Sequence, residues 1–163
     1  MKRQLEWRHC WCVAAILGVA LVADPALAQT RQEHVHDMGQ NVMPFDLAKT
    51  MHIFRMTDIG GVQSVVVRDA NARDQIALIQ QHLQREAKAF QAGNYADPSA
   101  LHGAAMPGIA ELQAQHAKIA VSYSALPLGA EIIFRTADLH LVTAIHRWFG
   151  AQLSEHGADA RAE

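Results

Sequence analysis

The chain has 163 residues, of which 50% are hydrophobic and 18% are charged, and its formal net charge at pH 7 is −2. This length and balance predict a single globular domain with enough apolar residues for its own core. A nearly neutral chain without a basic patch does not have the electrostatics of a nucleic-acid-binding protein. Small molecules or ions are therefore the expected partners.

Residues 1–28 have the three parts of a secretory signal peptide. The start is basic, an apolar run follows over residues 10–22, and Ala-Leu-Ala at 26–28 is a small-x-small cleavage motif. A segment of this kind is too short to be a stable membrane anchor. We expect a periplasmic or secreted protein that begins at Gln29 after cleavage near Ala28, without membrane insertion. The two cysteines leave with the signal, so the domain must be stabilised by packing alone.

The chain after the signal divides into an arm, a domain and a tail. Residues 29–45 are polar and lack an apolar period, which is typical of a flexible N-terminal arm. Residues 46–153 contain all the strand and helix patterns and are predicted to form a single α+β domain. Residues 154–163 are predicted to be a polar C-terminal tail.

The first half of the predicted domain has the pattern of a hairpin followed by a helix. Alternating apolar residues over 51–57 and a valine-rich run over 62–68 flank a Gly-Gly turn at 60–61. Two β-rich runs around such a turn predict a β-hairpin. Apolar residues at helical spacing then predict a helix over 72–91.

The second half repeats this pattern after an irregular connection. Residues 94–107 are the least regular stretch, and a short helix is predicted over 108–117. Strands are predicted over 119–124 and 131–135, and the last helix over 137–153.

The predicted element order is β-β-α-α-β-β-α, in which the two β-β-α series have the form of an internal duplication. Two hairpins with helices on one face make a two-layer α+β sandwich. Its sheet is expected to be antiparallel, with four main strands.

Short sequence motifs are spread over nearly all of the predicted domain. They are His52-x-Phe54, Gly60-Gly61-Val62-Gln63, Asp97-Pro98, Leu101-His102-Gly103, Met106-Pro107-Gly108, the run from Ala144 to Phe149, and His156-Gly157. In these motifs the chain resembles a family of small exported bacterial proteins, mostly uncharacterised, some of which bear the name aspartate carbamoyltransferase. The resemblance implies a shared fold and candidate positions. Carbamoyl transfer would need a longer two-domain chain with a Ser-x-Arg-Thr-type loop, which this sequence lacks, so the name implies no activity here.

Imidazole is the site chemistry that the sequence offers most abundantly. Nine of the ten histidines follow residue 28, and imidazole both titrates near neutral pH and binds transition metals. His82 and Glu86 lie four residues apart on a predicted helix, so they are neighbours on one face. They can hold a divalent ion together or form a hydrogen-bonded pair. The alternative is a solvated surface pair.

Further candidate ligands lie outside this helix. His102 and Met106 occur in the irregular segment, and an imidazole with a thioether suits copper, especially Cu(I). The alternative is that Met106 fills the core while His102 bonds to the backbone. His146 on the last helix corresponds in position to His82 and is either a ligand or a packing residue. His52 begins the first strand and either approaches the same end of the molecule or is exposed.

The remaining histidines are predicted to be solvated. His34 and His36 lie in the arm, where ordering the chain would offset much of the energy of metal binding. We expect His116, His140 and His156 at the surface.

The sequence favours an exported metal-binding protein over an enzyme, because it contains no G-x-S-x-G, H-E-x-x-H or dinucleotide-binding motif. We expect a periplasmic protein that sequesters or delivers copper, or else zinc. The alternative functions are a metal-free module for a small ligand or a periplasmic protein partner, an unrecognised His/Glu enzyme, and the carbamoyltransferase of the family name. The predicted metal ligands are His82, Glu86, His102, His146, Met106 and His52.

Overall fold

The computed structural model of the protein describes residues 30–163. The predicted signal peptide and its cleavage site lie outside these residues. Within the described part of the chain, no helix has both the length and the apolar character needed to cross a membrane.

The described residues form five α-helices and one five-stranded sheet, which confirms the predicted α+β class. The helices are α1 (Arg31–Gly39), α2 (Arg73–Gln91), α3 (Ala96–His102), α4 (Ile109–Ala114) and α5 (Leu139–His156). The strands are β1 (Thr50–Thr57), β2 (Gly60–Val67), β3 (Ala120–Leu126), β4 (Gly129–Arg135) and β5 (Ala160–Ala162). Short 3-10 turns occupy Leu47–Lys49, His116–Lys118 and Gly157–Asp159.

The two predicted hairpins join into one sheet through a pairing between β2 and β4, and the strand order is β3-β4-β2-β1-β5. His52 lies opposite Val65, and Gln63 lies opposite Ile132. Because side chains alternate along a strand, these residues share one face of the sheet. Helices α2 and α5 pack against that inner face, where they enclose a cavity together with the sheet.

An aromatic cluster forms the core beneath α5. The indole ring of Trp148 contacts Phe90, Tyr95 and Phe134 edge-on, with ring centroids 5.5–5.6 Å apart. All four side chains are at most 3% exposed, and burying a large apolar side chain contributes about 1.5–3 kcal/mol. The cluster therefore holds the middle of α5 rigidly against the sheet.

The structure places a helix in the segment that the sequence predicted as a flexible arm. Thr30 and Glu33 form a capping box at the start of α1, which satisfies backbone donors that the first turn would otherwise leave unpaired. Val35, Met43 and Phe45 are buried in the core. A nine-residue helix with so few apolar residues has no apolar period, so the pattern did not reveal it.

The sheet also differs from the purely antiparallel prediction. Helix α5 continues to His156, beyond the predicted end at residue 153. Gly157 then adopts a φ of 53°, in the region that favours glycine, and the chain turns back. Residues 160–162 pair in parallel with β1 as β5, so the predicted tail completes a mixed sheet.

Candidate functional site

A cavity of about 50 Å³ lies between the inner face of the sheet and helices α2, α3 and α5. One water molecule needs about 10–15 Å³ on this measure, so the cavity has room for about four waters or one small molecule. Its polar lining consists of His52, Gln63, His82, Glu86, Asp97, His102, Gln152 and His156.

Helices α2 and α5 each present one row of side chains to this cavity. Residues four apart on a helix lie above one another on the same face. We call these rows the α2 ridge and the α5 ridge. The α2 ridge is His82, Glu86 and Phe90, and the α5 ridge is Trp148, Gln152 and His156.

The α2 ridge and α3 together bring three potential metal ligands to one point. His82, Glu86 and Asp97 each offer one ligand atom, and these atoms lie within 4.8 Å of one another. Bonds of about 2 Å to a shared ion require spacings of this order. We call His82, Glu86 and Asp97 the triad.

Arg85 shows that the triad attracts a cation. Its Nη2 donates a hydrogen bond to His82 Nδ1 over 2.7 Å, and its guanidinium lies 3.6 Å from Glu86 Oε1 and 3.7 Å from Asp97 Oδ2. Because arginine can only donate, His82 Nδ1 carries a lone pair that faces this group. The Arg85 side chain is 56% exposed, so it approaches from the solvent side.

The triad stands between the cavity and the surface. A second, outer cleft of about 180 Å³ is lined by Arg85 and Asn94, and also by Glu86 and Asp97. The two carboxyl groups therefore line both spaces. An ion that enters from the outer cleft therefore meets Glu86 and Asp97 before it reaches the cavity.

Burial and neighbouring charges shift the titration of the triad. Burial, reinforced by a hydrogen bond and negative charge from Asp97, raises the pKa of Glu86 to about 7. Burial and the positive charge of Arg85 lower the pKa of His82 to about 4. At neutral pH His82 is therefore an uncharged imidazole, the form that binds metals. Glu86 titrates in the same pH range, so metal binding would displace a proton from the fraction that holds one.

Three more histidines line the cavity as a stack. The rings of His52 and His156 lie 4.6 Å apart at 16°, and His102 meets His156 edge-on at 5.0 Å. His102 Nδ1 lies 2.8 Å from Glu155 Oε2, which also accepts from Arg31. A carboxylate on Nδ1 fixes the tautomer and leaves Nε2 as the ring's lone-pair nitrogen.

Burial also keeps the stacked histidines uncharged. It lowers the pKa of His52 to about 4, with repulsion from other histidines as a smaller cause. It lowers the pKa of His156 well below its ordinary value and also that of His102, where the Glu155 carboxylate opposes it. The inner part of the cavity is therefore electrically neutral near pH 7.

Several polar atoms in the cavity wall are buried without a hydrogen-bond partner. An unpaired buried donor or acceptor costs about 1–3 kcal/mol, and most such atoms in folded proteins have partners. In residues 30–163 these atoms include His52 Nδ1, Gln63 Oε1, Trp148 Nε1 and Gln152 Nε2, and all four residues line the cavity.

The structure brings four of the six predicted ligands to the cavity, and it places His146 and Met106 elsewhere. His146 Nε2 lies 3.0 Å from the Thr57 carbonyl oxygen and 2.9 Å from that of Gly60, so its ring secures the β1–β2 turn. It precedes His156 by ten residues on α5, which separates the two by about 15 Å along the axis. Met106 is buried in the hydrophobic core.

One cavity histidine and one acid were misplaced or missed by the sequence patterns. His156 was expected at the surface but is only 6% exposed. Its spacing of eight from Trp148 would have revealed it if α5 had been extended past residue 153. Asp97 was interpreted only as a turn residue, because it approaches Glu86 through the fold of α3 and not through local spacing.

No protein-family model, curated protein or solved structure matches the chain. The resemblance to small exported bacterial proteins therefore stays a prediction. What the protein does has to be argued from the site itself.

Proposed function

We propose that this is an exported metal-binding protein whose ion is held by His82, Glu86 and Asp97. The observation that carries the proposal is their convergence: one imidazole and two carboxyl groups lie within 4.8 Å on the wall of a cavity. His82 is uncharged at neutral pH, and the guanidinium of Arg85 already provides a counter-charge to the acids.

The donor set favours a divalent transition ion. Imidazole with carboxylates suits Zn²⁺ and Cu²⁺, whereas Cu(I) prefers sulfur ligands. Met106, the thioether that argued for Cu(I), does not line the cavity. Copper(II) is expected to bind more tightly than zinc, because affinities of mixed nitrogen and oxygen sites generally follow that order.

The triad's position favours delivery of the ion over permanent storage. Three protein ligands leave a fourth tetrahedral position open, as in exchangeable and catalytic sites. Glu86 and Asp97 line the outer cleft as well as the cavity, so the ion has a route to solvent. Arg85, which is half exposed, can swing outward when the ion arrives.

Metal titration of isosteric variants tests the proposal. The metal-free protein should bind about one Cu²⁺ or Zn²⁺ tightly, measured by calorimetry against a competing chelator. Glu86→Gln and Asp97→Asn keep side-chain shape but remove a ligand charge, and each should weaken binding by about 100-fold or more.

The matched control is His140→Ala, which removes an exposed imidazole on the same helix as His156. It should bind metal as the unaltered protein does. Unchanged affinity in the Glu86→Gln Asp97→Asn double variant would overturn the proposal.

A further inference from the structure

The part of the cavity behind the triad contains a second group of side chains with polar atoms. We call four of its residues, His52, Gln63, Trp148 and Gln152, the inner wall. Each has a buried side-chain atom without a hydrogen-bond partner among residues 30–163. His52, Trp148 and Gln152 are at most 4% exposed. Because buried polar atoms are nearly always paired in folded proteins, four unpaired atoms in one cavity point to a bound molecule.

A cluster of waters matches only the polar part of this lining. A buried water typically makes about three hydrogen bonds, and about four waters would fill the cavity. The remaining lining includes apolar side chains such as Val65, Leu83 and Ile132, which offer no such bonds. A molecule with a small apolar part and polar ends matches this wall better.

The inner wall favours an uncharged ligand. It carries no carboxylate or ammonium group, and burial lowers the pKa of His52 to about 4 and that of neighbouring His156 well below its ordinary value. An anion would lose its hydration here without gaining an opposite charge, because no lysine or arginine lines the cavity.

The unpaired atoms also define what the ligand must offer. Trp148 Nε1 and Gln152 Nε2 can only donate, so they need an acceptor such as a carbonyl oxygen. Gln63 Oε1 can only accept, so it needs an N–H or O–H group. A planar amide group supplies both within a few atoms.

We infer that the inner wall binds a small uncharged amide-type molecule, with a carbonyl oxygen directed to Trp148 and Gln152 and an N–H directed to Gln63. The cavity volume of about 50 Å³ limits it to a few non-hydrogen atoms. This ligand site lies beyond the proposed metal function and does not depend on it.

Ligand-observed NMR on the chelator-treated protein tests the inference, with acetamide and propionamide as probes. Molecules of this size are expected to bind with dissociation constants between about 10 µM and 10 mM. Acetate, which is similar in size but negatively charged, should bind at least about 10-fold more weakly. Equal binding of acetamide and acetate would overturn the inference.

Two variants locate the site. Gln152→Leu and Gln63→Leu should each reduce acetamide affinity by about 10-fold, the ratio that corresponds to one lost hydrogen bond. The control is Gln91→Leu, because the Gln91 amide donates to the Val121 carbonyl oxygen outside the cavity. Unchanged affinity in both cavity variants would contradict the assignment, as would a crystal structure in which ordered waters alone occupy the cavity in the presence of acetamide. Because the protein is metal-free, failure of metal binding leaves this test intact.

Discussion

Helices α2 and α5 follow corresponding hairpins, but they bring different chemistry to the same cavity. The α2 ridge presents His82 and Glu86 beside the charged groups of Arg85 and Asp97. The α5 ridge presents an indole, an amide and a neutral imidazole without charged partners in the cavity. The repeated scaffold therefore supports a charged rim that suits a metal ion and a neutral interior that suits a polar organic molecule.

The two helices also use different parts of their length. The cavity-lining residues of α2 occupy its middle and C-terminal half, whereas α5 contributes only from Trp148 onward. Earlier on α5, His146 bonds to the β1–β2 turn. Residues at corresponding positions of the two helices thus have different surroundings, and the following predictions test this contrast.

The largest expected effect is the loss of folding stability when the aromatic cluster beneath the α5 ridge loses Trp148. Trp148→Ala removes a fully buried indole from the aromatic cluster and should lower the free energy of unfolding by about 3–5 kcal/mol. Leu139→Ala, at a 75% exposed position on the same helix, should change it by less than about 0.5 kcal/mol. Urea unfolding measures both, and similar values would contradict the packing described for α5.

Acid should destabilise the folded protein, because it favours the charged form of a histidine that is buried in the neutral interior. The folded-state pKa of His52 is about 4, below its ordinary value of 6.5, so the unfolded chain binds more protons between these values. Its contribution is fully present above pH 6.5 and is lost as pH falls towards 4, at about 1.4 kcal/mol per pH unit. The charges of His82 and His102 lower the pKa of His52 further, and the charge of Asp159 raises it. The pKa of Glu86 is raised, so this group makes the folded state more stable as pH falls, which is the opposite of the His52 effect.

The His52→Asn variant isolates the contribution of His52 to the pH dependence of stability. Its unfolding free energy should fall less steeply between pH 6.5 and 4.5 than that of the unaltered protein, by about 1 kcal/mol per pH unit. The exposed His140→Asn variant should keep the original slope. If His52→Asn also keeps it, His52 is not buried in an uncharged state.

At the charged rim, removal of the competing cation should strengthen metal binding. Arg85→Met removes the guanidinium that contacts the triad and should raise Cu²⁺ or Zn²⁺ affinity by up to about 5-fold, since exposed ion pairs contribute up to about 1 kcal/mol. Arg147→Met, which removes a surface pair with Glu111, should have no effect. Weaker binding in Arg85→Met would show that this arginine orients the triad instead of competing with the ion.

The smallest effect concerns the unpaired amide of the α5 ridge. Gln152→Leu replaces a buried amide whose Nε2 has no hydrogen-bond partner among residues 30–163, and it should leave the free energy of unfolding unchanged or raise it by up to about 1 kcal/mol. Gln91→Leu breaks a hydrogen bond to Val121 and should lower it by about 0.5–1.5 kcal/mol. Equal losses in the two variants would mean that Gln152 is paired within the protein.

Local patterns predicted the elements whose signal lies in consecutive residues. The hairpins and α2 followed from alternation, glycines and helical spacing, and the His82–Glu86 pair followed from a separation of four. Asp97 could not be predicted as a ligand, because only the path of α3 brings it back to α2. Strand β5 is three residues long and has no strand pattern of its own, so its pairing depends on the exposed edge of β1.

Two other features have a local signal in the sequence. The Thr30-x-x-Glu33 spacing is a capping-box signature, although no apolar run follows it. His156 continues the spacing of four through Gln152 from Trp148, although the polar composition after residue 153 indicated a tail.

The most direct test of the account is the position of a bound ion in a crystal of the metal-loaded protein, located by anomalous diffraction at the zinc or copper edge. The account predicts one ion within about 2.0–2.2 Å of one imidazole nitrogen of His82 and carboxylate oxygens of Glu86 and Asp97, with Arg85 displaced towards solvent. An ion held by His34 and His36, or by the stacked histidines without the triad, would contradict it.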